Sequence, residues 1–519
     1  MDKLDDSQER RERMHWGGRT FRFSLASFRI RGNFSVRRFS FTEAAFLLMM
    51  AYLTSKGLGV IRQTLFNMLF GTSPEATAYY AAFRLPDLLF NLIAGGALAQ
   101  AFIPVFLSYE KEHGRRAVWR LTSLVFNVLL VSLIVFILVA ELLAPTFVNT
   151  ILVPGLPPAQ RALTTTLMRI MLVYPLVTGL GTIATAVLNG KRRFLLPALS
   201  LALYDVSLIG GLLIALTIPG VGIYGPTFGL LASAICQVAV LIPGLRKQGA
   251  HYTFLWDLHH PGLHEVLRLL IPNVLAVGIA STAVIVDTSF ASYLPDRSSI
   301  AAMQNAYLLF TFPLTFLAQA IGQAFLPQIT IQATHHHYVR MRQTILKIVG
   351  GSVLLSIPAT IVLYILGKPA IRVLFQHGAF TAHASALTTR ALLGYAVGLP
   401  GLTAEGLFVL GFYALKDART PLLTNIVALA TRISLIILLL KVLTGEYGIL
   451  ALPLAASVTS TAQAALLCLI LLMRLRTKVR TDKGMQRLQE QRENVKRRRT
   501  QTQPLTPEQE KSEEEAARH

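Results

Sequence analysis

The sequence predicts an all-α, polytopic membrane protein with about twelve transmembrane helices, arranged as two parallel-repeat six-helix lobes around a central cavity. Hydrophobic residues make up 53% of the 519 positions. They occur in long runs, and residues 124–143 contain one charged residue, Glu141. About 20 such residues cross the hydrocarbon core as a helix. Lysine and arginine lie in alternate connections, and two motifs recur at nearly one offset.

Twelve apolar segments are predicted as membrane spans. None shows the short alternating pattern of a transmembrane barrel strand. The spans cover residues 43–69, 78–107, 121–147, 163–189, 195–218, 223–245, 265–293, 301–330, 344–366, 383–414, 421–442 and 447–473.

Charge in the connections predicts the topology. The even-numbered connections carry cations, as in 111–120 and 191–193, whereas the first and fifth carry none. The ninth is an exception, with Lys368 and Arg372. Cations are retained on the cytoplasmic side, so both termini are expected to be cytoplasmic. We expect a basic tail at 1–40, lobes at 41–246 and 264–475, a cytoplasmic inter-lobe linker at 247–263 and a charged tail at 476–519.

The net charge of +22 could indicate a nucleic-acid partner. Much of the excess lies in the tails and short connections, which instead suits anionic lipid at the cytoplasmic surface. No nucleic-acid partner is therefore expected.

The chain repeats itself. The motif QAFIP at 100–104 recurs as QAFLP at 323–327, an offset of 223 residues, and Pro197 matches Pro421 at an offset of 224. Six spans separate the copies. An even number preserves membrane orientation, so the repeats are parallel and the cavity is expected between them.

Polar residues in the first span predict a site. Ser55 and Arg62 are seven residues apart and share a helix face, and Lys56 lies on the adjoining face. Charged groups at membrane depth are costly and are functional by default. Guanidinium groups suit pyrophosphate oxygens. The alternative is that these cations form salt bridges or reach the cytoplasmic rim.

The second span adds Arg84, Asp87 and Asn91 at spacings of three and four, which place them on one face. Arg84 and Asp87 could pair with each other. With the cations of the first span, Arg84 predicts a cationic cavity in the N-terminal half.

Asp287 lies alone in the seventh span. It either binds a coupling cation or pairs with Arg432 of the eleventh span, and the ion pair is favoured because it leaves neither charge unpaired. Asp205 and Glu405 are weaker candidates, as cavity-lining or helix-bonding groups.

No cofactor, metal site or enzymatic activity is expected. The run His335–His337 lacks an acidic or cysteine partner, and Cys236 and Cys468 lie in apolar runs without metal-ligand spacing. No phosphate-binding loop or nucleophile elbow is found.

The combined motifs resemble the MurJ (MviN) family of lipid II flippases, within the multidrug/oligosaccharidyl-lipid/polysaccharide exporter superfamily. The resemblance covers about residues 42–475. It rests on the segments SKGLGVIR at 55–62, AFRLPDLL at 82–89, QAFIP at 100–104, FQHGAFT at 375–381, GFY at 411–413 and KDARTP at 416–421.

The resemblance implies a bacterial plasma-membrane flippase, with Lys56 and Arg62 at the family's pyrophosphate-binding positions. The sequence departs from the family pattern at three positions. Thr77 stands where an acid is usual, and Phe90 and Leu308 stand where arginines are common. A sodium site described for some members matches Asp287, but Arg432 argues against sodium here.

We therefore expect a flippase that moves lipid II, or a similar polyprenyl-pyrophosphate lipid, from the inner to the outer leaflet. The alternatives are an exporter of another polyprenyl-linked oligosaccharide or amphipathic drug, and a transport-dead membrane scaffold.

Overall fold

The structure, a computed structural model, describes residues 41–94, 97–191 and 193–501. The predicted N-terminal tail and residues 502–519 lie outside this part of the chain. Within it, the secondary structure is helical. The helices are α1 (Phe41–Phe70), α2 (Pro74–Ala94), α3 (Ala97–Phe147), α4 (Pro158–Met171), α5 (Val173–Gly190), α6 (Leu195–Thr217), α7 (Tyr224–Lys247), α8 (Pro261–Ser292), α9 (Ser299–Leu314), α10 (Ile321–Thr334), α11 (Tyr338–Phe375), α12 (Ala382–Ala396), α13 (Leu399–Ala414), α14 (Arg419–Val442) and α15 (Ala451–Gln501).

Every predicted span coincides with helix, but the breaks fall inside spans as well as between them. Helix α3 joins the second and third spans through Gly114, whose φ of 80° is not helical. A π-helical segment, Thr315–Ala320, joins α9 to α10. Helices α12 and α13 together are long and apolar enough for one span, but they are bent by 50° where they meet. Among the described residues, eight helical segments are long and apolar enough to cross a membrane, or nine if that bent pair counts.

Two lobes make up the fold, and we define lobe 1 as α1–α7 and lobe 2 as α8–α15. Within lobe 1, α6 and α7 approach closely at glycines. A Cβ on Gly211 would lie 2.4 Å from the carbonyl oxygen of Gly225 and 2.9 Å from the Cα of Gly229. Small residues of this kind let helices pack backbone to backbone in lipid.

Buried apolar side chains join the lobes. The largest cluster includes Ala82 and Leu89 of lobe 1 together with Phe310 and Leu392 of lobe 2. Large apolar side chains also cover the outside, among them Leu138 and Leu142 of α3, Leu354 and Ile365 of α11, and Leu438 of α14. This outward-facing apolar surface is what a helix bundle in lipid requires.

The lobes meet at the face that carries the odd-numbered connections, which we call the outer face. The amide of Ala379 donates to the carbonyl of Met68 over 2.8 Å. The amide of Gly155 donates to Ser292 Oγ over 3.1 Å, and Arg297 Nη1 donates to the carbonyl of Gly155 over 2.5 Å. These contacts close the outer face.

Candidate functional site

A cavity of about 530 Å³ lies between the lobes. Lobe 1 contributes one face of α2, and lobe 2 contributes α8, α9 and parts of α12–α15. The polar and charged side chains on its wall are Arg84, Asp87, Asn91, Ser281, Asp287, Thr288, Gln304, Tyr307, Tyr395, Arg432 and Ser460.

Arg84 crosses the cavity from lobe 1 to lobe 2. Its Nε donates to Thr288 Oγ1 and its Nη2 donates to Gln304 Oε1, each over 3.0 Å. Asp87 and Asn91 follow on the same face of α2 and line the same cavity, as their spacing predicted. Among the described side chains, no ion pair joins Arg84 to Asp87, because the arginine instead reaches neutral acceptors on the opposite lobe.

Arg62 and Ser55 do not line this cavity. Ser55 Oγ donates to Asp205 Oδ2 over 2.8 Å, and Arg62 Nη1 lies 3.3 Å from Asp205 Oδ1. The guanidinium also lies over the ring of Tyr204, 5.3 Å from its centroid. The expectation that the cations of the first two spans share one cavity is therefore wrong for Arg62, because a buried carboxylate on α6 faces it.

Lys56 is exposed and is likewise absent from the cavity wall as the structure describes it. Of the six residues predicted to bind substrate, the cavity therefore brings together the three from α2. The three from α1 lie elsewhere.

Asp287 and Arg432 form a bidentate ion pair. Arg432 Nε donates to Asp287 Oδ1 over 2.9 Å, and Arg432 Nη2 donates to Oδ2. The carboxylate is buried, and both side chains lie on the cavity wall. Of the two alternatives that the sequence left open for Asp287, the geometry matches the ion pair, with both carboxylate oxygens occupied by the guanidinium.

The charges on the described cavity wall balance. Arg84 and Arg432 stand against Asp87 and Asp287. The sequence predicted a cationic cavity because it placed Lys56 and Arg62 beside Arg84, and neither lies on the described wall. At the two positions where arginines are common in the family, Phe90 and Leu308 pack against the buried apolar cluster.

A buried hydrogen-bond network joins the lobes beside the cavity. Gln63 Nε2 donates to Tyr80 Oη over 2.6 Å and to Asn305 Oδ1 over 2.9 Å, and Asn67 Nδ2 donates to the same Asn305 oxygen over 2.7 Å. Sequence analysis did not identify Asn305 as part of the contact between the lobes. The adjacent polar residues Gln304 and Asn305 in an otherwise apolar segment were the available signal, since polar groups at membrane depth need partners.

Two further arginines, Arg169 of α4 and Arg390 of α12, form ion pairs outside the cavity. Arg169 Nε lies 3.5 Å from Glu141 Oε2, and Arg390 Nη2 lies 2.6 Å from Glu446 Oε2. Both pairs are partly exposed. In the described part of the chain, no group of three or more His, Cys, Asp or Glu side chains has the geometry to hold a metal ion.

A family model for the lipid II flippase MurJ matches residues 66–489. The chain belongs to this family. The lipid II flippase MurJ of Burkholderia cenocepacia is 31% identical over 378 residues, which cover 71% of this chain and 72% of that protein. A probable lipid II flippase MurJ of Rhizobium tropici is 29% identical over 404 residues, which cover 77% and 75% of the two chains.

Solved structures show the same fold as this MurJ-family chain. A lipid II flippase MurJ in an inward closed conformation superposes with a TM-score of 0.70 at 23% identity, over 82% of this chain and 87% of that chain. An inward-facing MATE-family multidrug transporter gives 0.71 at 12% identity, over 84% and 98%. The predicted family and the two-lobe, all-α membrane fold are confirmed, and the protein is a multi-pass membrane protein.

Proposed function

We propose that the protein moves lipid II, a pyrophosphate-linked cell-wall precursor, from the inner to the outer leaflet of the bacterial plasma membrane by alternating access. Family membership supports the activity. The observation that carries the mechanism is the position of Arg84, a cavity cation that joins the lobes through neutral oxygen acceptors.

Arg84 is bound by neutral oxygen atoms, whereas Arg62 and Arg432 are bound by carboxylates. A phosphate oxygen can replace Thr288 and Gln304 without leaving a carboxylate behind. Displacing Asp205 from Arg62, or Asp287 from Arg432, would leave a buried acid unpaired, which costs about 3–5 kcal/mol. Arg84 is therefore the first ligand for the pyrophosphate, with Asn91 and Ser281 on the same wall available for hydroxyl and amide groups of the headgroup.

Substrate binding and lobe movement are coupled at Arg84. Each bond that Arg84 makes to the pyrophosphate removes one that it makes to lobe 2. Binding thus weakens one tie between the lobes while the polyprenyl tail stays in lipid. Transport requires only that the substrate bind the two conformations with different affinity.

Arg62, Lys56 and Ser55 act in this proposal as a second site, reached after the lobes move. Ser55 and Arg62 share Asp205, so the acid must be exchanged for phosphate before Arg62 binds. Lys56 is already exposed. Asp287 and Arg432 remain paired. Arg432 thus supplies the positive charge opposite Asp287, in place of a bound coupling cation.

The proposed topology has two six-helix lobes, at 41–246 and 264–475, with both termini in the cytoplasm. Cations in the even-numbered connections support it. The basic segments would then contact anionic lipids of the inner leaflet.

Complementation tests the proposal. The wild-type chain should rescue cells that are depleted of their own lipid II flippase. Arg84→Ala should abolish this rescue, because the pyrophosphate loses its first ligand. Arg84→Lys should rescue weakly, since lysine keeps the charge but not the two-pronged geometry. Arg169→Ala is the matched control, because it removes an arginine that lies outside the cavity. Full rescue by the triple variant lacking Lys56, Arg62 and Arg84 would defeat this site assignment.

A second candidate is export of another polyprenyl-linked oligosaccharide or an amphipathic drug. The balanced cavity charge and the apolar side chains at Phe90 and Leu308 favour it. Failure of the correctly inserted wild-type chain to rescue would support this candidate or a scaffold role. Transport of alternative lipids in vesicles would then separate the two.

A further inference from the structure

We propose that the segment joining the lobes, residues 250–260, is a re-entrant loop that enters the cytoplasmic leaflet and binds the lipid interface through its aromatic side chains. We call it the linker loop. The sequence predicted this segment as part of a cytoplasmic linker, so the proposal moves it from water to the membrane.

Two buried polar side chains of α3 hold the linker loop. The amide of Thr253 donates to Ser123 Oγ over 3.1 Å. Asn127 Nδ2 donates to the carbonyl of Leu255 over 2.9 Å, and Tyr252 Oη donates to Asn127 Oδ1 over 2.7 Å. Ser123 and Asn127 both lie in the predicted third span, and the side-chain amide of Asn127 finds its partners in the loop.

The contacts fix the path of the loop. Ser123 and Asn127 are about 6 Å apart along the helix axis, and two residues of extended chain cover about 6.6 Å. The backbone from Thr253 to Leu255 therefore runs beside α3. After Leu255 the chain turns back towards the start of the predicted third span. Gly262 packs there against Leu121, and a Cβ on Gly262 would lie 3.0 Å from Leu121 Cδ1.

The loop enters the membrane by this path. Asn127 is seven residues beyond Arg120, the last cation before the apolar run of α3, which corresponds to about 10 Å along the axis. With Arg120 among the lipid headgroups, Leu255 lies near the boundary between headgroups and acyl chains. Backbone groups at that depth need partners within the protein, and Ser123 and Asn127 supply two of them.

Four large apolar or aromatic side chains are exposed on the loop, alternating with the exposed polar residues His251, Thr253, Asp257 and His259. Tyr252, Phe254 and Trp256 are 60%, 79% and 50% exposed, and Leu258 is 49% exposed. Phe126 of α3 contacts Tyr252 edge to face, with ring centroids 5.7 Å apart. The row continues into the exposed apolar face of α3, formed by Val131, Ile134 and Val135.

Lipid is the occupant that this surface fits. The exposed face of α3 must contact acyl chains, and the linker loop extends that face towards the headgroups. Tyrosine and tryptophan favour this interfacial depth, where the ring is apolar and the polar edge remains hydrated. The loop therefore anchors lobe 1 and the start of α8 to the inner leaflet while the lobes move.

Tryptophan fluorescence tests the depth of the loop. The chain has three tryptophans, so Trp16→Phe with Trp119→Phe leaves Trp256 as the only emitter. In phosphatidylcholine vesicles, bromine at shallow acyl positions should quench Trp256 more strongly than bromine at deep positions, and aqueous iodide should quench it little. A single-Trp119 protein is the control, because Trp119 is buried against Phe106 and should resist all three quenchers.

A second variant tests the anchor. Asn127→Leu in the single-Trp256 protein removes both bonds to the loop and should exchange bromolipid quenching for iodide quenching. Ser123→Ala removes the bonds to the Thr253 amide and the His251 carbonyl, and it should give a shift in the same direction. Strong iodide quenching of the unmodified loop would overturn the proposal. Protection from both quenchers would also overturn it, because it would indicate a protein partner. None of these readouts depends on transport.

Discussion

At the scale of single residues, the partner of each charge decides its role. Three arginines of the membrane interior have similar chemistry, but Arg84 is held by neutral oxygens and Arg62 and Arg432 by carboxylates. The sequence could identify these cations because charge at membrane depth stands out. It paired Arg432 with Asp287 but could not assign the partners of Arg62 and Arg84, because Asp205 and Thr288 reach them only through packing of distant segments.

Asp296 provides a residue-scale prediction about pH. It lies outside the helices, at the closed outer face beside Arg297. Partial burial would raise the pKa of its carboxyl, but hydrogen bonds from the Ser298 amide, 2.9 Å from Oδ1, and from His383 Nε2, 2.5 Å from Oδ2, lower that pKa overall. A lowered pKa in the folded state stabilises the protein above the ordinary value of about 3.9, and this stabilisation disappears as pH falls through the folded-state value.

We therefore expect the unfolding temperature of the wild-type protein in detergent to fall below about pH 4. Asp296→Asn should unfold at a lower temperature at neutral pH and lose part of this acid dependence. Glu75→Gln, an exposed acid near the same face, is the control and should keep the wild-type pH profile. Parallel profiles for wild type and Asp296→Asn would contradict the assignment.

At the scale of helices, the sequence predicted where helical segments lie along the chain but not where those segments bend or break. Each of the twelve predicted spans falls on helix among the described residues, because hydrophobic thickness dictates the length of an apolar run. The π-helical segment at Thr315–Ala320 and the bend between α12 and α13 were not predicted. Pro313 lies in α9 just before the π-helical segment, but which backbone hydrogen bonds shift there depends on neighbouring helices. The linker loop was missed because periodicity does not reveal an extended segment held by side chains of another helix.

The closed outer face depends on close backbone approach, which gives an element-scale prediction. A Cβ on Gly155 would lie 2.4 Å from the carbonyl oxygen of Ser292 at the end of α8. Gly155→Ala should therefore separate the lobes at the outer face and cost about 1–3 kcal/mol of the closed state's stability. Gly350→Ala is the control, because its Cβ would meet no atom within 4 Å.

Spin labels report the outcome. Cysteines at the exposed positions Glu75 and His377, in a protein lacking Cys236 and Cys468, place one label on each lobe near the outer face. Gly155→Ala should lengthen the distance between them, and Gly350→Ala should leave it unchanged. Equal distances in both variants would show that the contact at Ser292 does not hold the face closed.

At the scale of the whole molecule, each lobe has one ion pair at equivalent positions of the repeat, and the acidic and basic residues are exchanged between the lobes. Arg62 on the first helix of lobe 1 bonds Asp205 on its fifth span. Asp287 on the first helix of lobe 2 bonds Arg432 on its fifth span. The equivalent positions are 225 and 227 residues apart, close to the motif offset. Each lobe thus uses one ion pair to join the same two helices, with the signs exchanged.

If the pair is a structural tie between two helices, its polarity should be exchangeable. Asp287→Asn and Arg432→Gln each leave a buried charge without its partner and should cost about 3–5 kcal/mol of stability. The double variant Asp287→Arg with Arg432→Asp gives lobe 2 the charge order of lobe 1, and it should recover most of that loss. Unfolding of the purified proteins in detergent measures both effects. A double variant as unstable as the single variants would show that the pair depends on its local surroundings. If the double variant is stable but fails in complementation, transport requires a cation at position 432 on α14. The cavity would then need this cation in addition to the ion pair that joins the two helices.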